Sequence, residues 1–181
     1  MVRPNDLKLA ILCLAAATFA CPAQAQPQPI PTASFPFEGR ELAQQVNNLL
    51  RAKGLSGTFQ RDNCQETETQ SGAINSCDYS FYGLRYRLWQ QPGSGRVVLI
   101  TARPRYASRY NLSEAASLGI SVLIGAVEGS DDDADILAIT DRLRTAGRSM
   151  SGSATVETKN NRYELTVGRD GYTFWVSSRI N

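Results

Sequence analysis

The chain has 181 residues, 42% hydrophobic and 20% charged, with 19 basic and 17 acidic side chains and a formal net charge of +2. That composition is ordinary for a globular protein. It contains no histidine, which excludes imidazole-built zinc sites, Ser–His–Asp triads and Cys–His nucleophiles, and removes the usual proton carrier near neutral pH.

The N-terminus reads as an export signal. Arg3 and Lys8 give a positive start, diluted by Asp6, and residues 9–20 carry no charge. Such a run covers about 18 Å as a helix, too short for a bilayer core of about 30 Å. Ala23-Gln24-Ala25 is a small-x-small cleavage site, so the mature chain is expected to start at Gln26, in the periplasm or outside the cell. A lipoprotein reading with Cys21 as acceptor is opposed by the bulky Phe19 before it. Without residues 1–25 the charged counts fall to 17 and 16, a net charge of +1, which points away from nucleic acid.

Cleavage also removes Cys13 and Cys21 and leaves Cys64 and Cys77. In an exported protein two cysteines are expected to form a disulfide. Here it would close a polar loop, QETETQSGAINS, contributing about 3 kcal/mol in the chain-entropy model. Neither the spacing nor a third ligand suggests a redox or metal centre, and no cofactor is implied. Residues 26–37 hold four prolines and read as an extended tether. Residues 38–181 then form one domain, with halves at 38–108 and 109–181.

Leu42, Val46, Leu49 and Leu50 recur at helical spacing, predicting a helix over 39–53 with Gly54 past its end. A short strand is expected at 56–60. Residues 78–91 alternate around Leu84, Tyr86 and Leu88, and Pro92-Gly93-Ser94-Gly95 turns the chain into a strand at 96–103. Asn111 with Ser113-Glu114 looks like a helix start. The apolar segment 112–127 reads as a buried helix, with a strand over 120–127 as the rival. It is too short and glycine-broken to span a membrane, so no span remains after cleavage. Asp131, Asp132, Asp133 and Asp135 open a helix over 132–147, where carboxylates favour the dipole. The last thirty residues read as three strands joined by tight turns.

The two halves echo each other. Leu84-Arg85-Tyr86-Arg87-Leu88 matches Asn161-Arg162-Tyr163-Glu164-Leu165, and Gly95-Arg96-Val97-Val98 matches Gly171-Tyr172-Thr173-Phe174. A repeat of this kind implies an α+β fold: an antiparallel sheet of about six strands with helices on one face, in tandem α-β-β-β order. That element order resembles the tandem helix-plus-sheet layout of beta-lactamase inhibitory proteins. It is also similar in outline to small envelope proteins that pair helices with a three-stranded sheet. The resemblance implies a layered fold and assigns no residue a role.

Charge is segregated along the chain. Residues 79–113 contain no acid but hold Arg85, Arg87, Arg96, Arg103, Arg105 and Arg109, while residues 128–135 hold five acids and no base. If Tyr86, Leu88, Phe174 and Val176 face the core, alternation puts Arg85, Arg87, Trp89 and Trp175 on the helix-free face. Trp beside Arg is the composition of binding hot spots; Tyr106 and Tyr110, beside Arg105 and Arg109, extend it. No GxSxG, SxxK, HExxH or P-loop is present, and the carboxylate pair most easily assembled is Glu157 with Glu164. The expectation is an exported, non-catalytic envelope protein that contacts a protein or an anionic envelope component through Arg85, Arg87, Trp89, Arg103, Arg105 and Trp175. Its alternatives are a small carboxylate-dependent enzyme, or an assembly subunit associating through 112–127.

Overall fold

A computed structural model describes residues 31, 33–69, 72–105, 113–147, 152–168 and 171–180. The export signal, most of the tether, and Tyr106, Arg109, Tyr110 and Asn111 lie outside them. In chain order the elements are α1 (Gly39–Ala52), β1 (Gln60–Thr69), β2 (Gly72–Phe81), β3 (Leu84–Gln90), β4 (Val97–Pro104), α2 (Glu114–Glu128), α3 (Asp133–Gly147), β5 (Gly152–Glu157), β6 (Asn161–Gly168) and β7 (Gly171–Ser178). No described helix is long and apolar enough to cross a membrane.

The strands form one antiparallel sheet in the order β1-β2-β3-β4-β7-β6-β5, seven strands against the six expected. β4 and β7, the last strands of each half, meet at the centre, and β3 and β6 flank them. The strands matched in sequence therefore occupy mirrored places in the order, and β1 is the addition. All three helices share one core with one face of the sheet, around Leu42, Tyr86, Leu88, Ile100, Leu123, Tyr163 and Phe174.

Three expectations in the first half are corrected. Residues 65–69 and 72–76, between the cysteines, are not a loop: they lie in β1 and β2, and Cys64 stands directly opposite Cys77 with their disulfide formed, residues 70 and 71 lying outside the described residues. The polar composition of the β1 part reflects exposure on both faces of an edge strand, not irregular backbone. Nor is 78–91 one strand. Tyr82 and Gly83, with φ of 46° and 73°, reverse the chain between β2 and β3. That pair of left-handed residues makes a two-residue hairpin, which usually carries Asn or Asp where this chain has Tyr. The predicted strand at 56–60 shrinks to its last residue, where β1 begins.

The helices form largely as expected. α1 buries Leu42, Val46 and Leu50 and starts with a Glu38–Glu41 capping box. α2 resolves the ambiguous segment as a helix, capped by Ser113, whose Oγ accepts the Ala116 N–H at 3.1 Å. Its glycines are close-approach points: a Cβ on Gly119 would sit 2.7 Å from the Tyr86 hydroxyl, and one on Gly125 2.8 Å from Ile136. α2 is apolar because most of it is core, with Leu118 its one large apolar side chain left exposed. At its far end Glu128 Oε1 accepts from Thr158 Oγ1 (2.9 Å), Asn161 Nδ2 (2.9 Å) and Tyr163 Oη (2.5 Å), tying α2 to the β5–β6 turn. In α3, Asp132 Oδ1 accepts the Ala134 N–H (2.9 Å), and Asp133 pairs with Lys53. These aspartates thus serve the helix start.

The end of the tether also joins the fold. Phe35 N–H donates to Val97 O (2.7 Å) and Val97 N–H to Phe37 O (3.2 Å), and both phenylalanines are buried in the core.

Candidate functional site: the helix-free face of the sheet

Register sets three rows on the face the helices leave open. The first runs Ser80, Arg85, Arg103 across β2, β3 and β4. The second runs Asp78, Arg87, Thr101, Trp175, Glu164, from β2 to β6. The third runs Ser76, Trp89, Leu99, Ser177, Arg162. Directly paired residues share a face, so Arg85, Arg87, Trp89, Arg103 and Trp175 lie on one surface. Arg105 follows β4, exposed, its N–H donating to Gly83 O at 2.8 Å.

The five do not behave alike. Arg87 grips Asp78 through two bonds, Nε to Oδ1 at 2.7 Å and an Nη to Oδ2 at 3.0 Å, with its guanidinium 5.8 Å from the Trp89 ring centroid. Its charge is committed within the protein. The partner sits one residue before the acid-free span begins, so counting from Tyr79 misses it. Arg85 and Arg103 are the opposite case. They face each other across β3 and β4, both are exposed, and neither makes an ion pair among the described residues. Asp62, in the same corner, accepts from Ser80 Oγ at 2.6 Å. Like charges directly opposite repel, so this corner is a net positive feature that the fold tolerates rather than uses.

Both tryptophans are half-buried. They pack on Ile74, Val98 and Leu99, which form a second apolar cluster separate from the main core. Sequence alternation misses this cluster because of a bulge. Register slips between Trp89 and Gln90, which sends Val98 and Leu99 together onto the helix-free face while Val97 and Ile100 stay in the main core. The available signal is the unbroken run Val97-Val98-Leu99-Ile100, which fits a strand apolar on both faces. Ser76 Oγ and Trp89 Nε1, on directly paired residues, are buried without a hydrogen-bond partner.

Toward the β5 edge of the sheet the charges are neutralised. Glu164 pairs with Arg162 (3.4 Å) and Glu157 with Arg179 (3.2 Å). The carboxylates proposed as a catalytic pair therefore each answer an arginine. Asp131, Asp132, Asp133 and Asp135 are exposed beyond the C-terminal end of α2, while Arg85, on the open face, belongs to the strand end beside that helix's first half, where Gly119 nears Tyr82 and Leu84. At 1.5 Å per residue, α2 puts about 22 Å between its two ends. Among the described residues, no three His, Cys, Asp or Glu side chains gather as metal ligands. Compared with known proteins, the chain matches no family model, no curated protein and no solved structure.

Proposed function

We propose that this is an exported, non-catalytic binding protein of the bacterial envelope that docks an acidic partner protein on the helix-free face of its sheet. One observation carries the reading: Arg85 and Arg103 stand opposed and unpaired one row from Trp175, on the same face as an aliphatic cluster, two rows away, on which both half-buried tryptophans pack. An apolar centre with aromatic and arginine anchors and a charged margin is the anatomy of a protein interface. A partner carboxylate placed between the two arginines would relieve their repulsion and form charge-assisted hydrogen bonds. Export fits the signal-like N-terminus and a disulfide kept in an oxidising compartment.

The test is capture from envelope extract by the mature chain, run beside the Arg85→Ser, Arg103→Ser double variant. Both arginines are exposed, so the variant keeps its fold. The expected result is a protein retained by the wild type, lost by the variant, and released at high salt as screening shortens to a few ångströms. Equal retention by both chains would remove the arginine corner from the interface. Arginine-dependent retention on purified peptidoglycan or lipopolysaccharide, with no protein captured, would replace the protein partner by an anionic polymer.

A further inference from the structure

β1 puts nothing into the core. Each of its residues is exposed or half-exposed, and it closes one end of the sheet with β2 as its neighbour. Its ten residues make it roughly twice as long as a usual strand. Proteins blunt such edges with short strands, proline, lysine or bulges. β1 has no proline and no lysine, and its bulge falls at Arg61/Asn63, which leaves residues 64–68 regular.

The direction of the open backbone groups follows from the cysteine pair. The Cα atoms of Cys64 and Cys77 are 4.0 Å apart, the close spacing of a non-hydrogen-bonded antiparallel pair. The N–H and C=O of Cys64 therefore point away from β2. By alternation so do those of Glu66 and Glu68, whose partners are Asn75 and Ala73. The side chains on the helix side of β1 are Arg61, Cys64, Glu66 and Glu68, opposite Tyr79, Cys77, Asn75 and Ala73. On that side a cation thus stands near one end of the strand and two anions near the other, while Asp62, at the cation's end, accepts from Ser80 on the open face. An antiparallel copy of the same strand neutralises that order.

We propose that β1 is a homodimer edge, pairing antiparallel with β1 of a second copy about a two-fold axis at Gln65. In this register Cys64 meets Glu66 of the second copy. Past the bulge, Arg61 meets Glu68 of the second copy, and symmetry makes each contact twice. The outward groups of Cys64, Glu66 and Glu68 complete a ladder that joins the two sheets. Sliding the axis toward Thr67 instead brings carboxylate against carboxylate. The axis is perpendicular to the sheet, so the helix-free faces of both copies lie on the same side.

The experiment is mass by light scattering across a concentration series, on the oxidised chain. The wild type is expected to approach twice the monomer mass. Glu68→Arg faces Arg61 of the second copy and should lose the dimer, and so should Arg61→Glu. The two changes together restore the unlike pairing and should restore the dimer. Glu66→Pro removes an outward N–H that β2 does not use, and should give a monomer with an unchanged circular dichroism spectrum. A wild type that stays monomeric at its highest soluble concentration overturns the proposal. So does a dimer whose mass none of these changes alters.

Discussion

The two faces of the sheet divide the labour along single strands. β3 shows it most plainly. Leu84, Tyr86 and Leu88 are fully buried against the helices, while Arg85, Arg87 and Trp89 stand on the other side with graded exposure. The covered face is continuous: its residues belong to one cluster that runs through all three helices. The open face is a patchwork of one aliphatic cluster, three arginine–carboxylate pairs and one uncompensated arginine pair. Stability is therefore expected to be set on the covered face, and surface chemistry to be adjustable on the open one.

The largest test of the covered face is alkaline. Tyr86, Tyr163 and Tyr172 all point into it and are buried. Burial pushes each phenol up. Tyr86 lies well above its usual range, and Tyr172 is pushed up to about 12; Tyr163 rises further because it also hydrogen-bonds Glu128. An unfolded tyrosine ionises near 10. The folded state thus holds its protons longer than the unfolded state. Its stability is whole below about pH 10 and falls as pH rises through the window up to about 12. Cooperative unfolding in that window, followed by circular dichroism, should coincide with the appearance of tyrosinate absorbance. Ionisation of all the tyrosines near pH 10, with the fold intact, would show that the covered face is not sealed.

The next test sets neighbours on one strand against each other. Leu88→Ala empties a fully buried site and should cost about 2–5 kcal/mol. Trp89→Ala removes a larger side chain, yet one that only roofs Ile74, Val98 and Leu99 and remains half-exposed. Its cost should be smaller. Urea midpoints at constant slope measure both, and the reverse order would mean that the tryptophan cluster is a true second core.

The residues explain how far the sequence carried. α1, α3 and the last three strands show clear periods, because each has one buried face and one wet face; α2 is buried on nearly all sides, which is why its segment reads as a helix with a strand as rival. The same alternation placed the two tryptophans and the arginines of β3 together. What stayed hidden depends on pairing between distant residues. β1 has no hydrophobic period because neither of its faces is buried, so only its ladder with β2 and the disulfide reveal a strand. The Tyr82-Gly83 turn needs a left-handed tyrosine, which composition alone does not announce. The Val98–Leu99 patch arises from a slip in register, and the Arg87–Asp78 pair from two strands the sequence had merged into one.

The smallest effect separates two arginines two residues apart. Arg87→Thr strands Asp78, a carboxylate only 22% exposed, without its two donors, while the arginine it loses is 35% exposed. With solvent screening discounted, the loss should be about 1 kcal/mol. Arg85→Thr removes one of two like charges that face each other, and it places a good strand former on the open face. It should be neutral, or stabilising by a few tenths of a kcal/mol. Salt distinguishes the two causes. Added salt screens the exposed Arg85–Arg103 repulsion, so any gain from Arg85→Thr should shrink toward zero between low and high ionic strength. The cost of Arg87→Thr should persist in part, because its hydrogen bonds lie closer to the sheet. Thermal midpoints of both variants at two salt concentrations measure this difference. If Arg85→Thr cost as much as Arg87→Thr, Arg85 would already have a partner within the chain, and the positive corner would not be available to anything outside it.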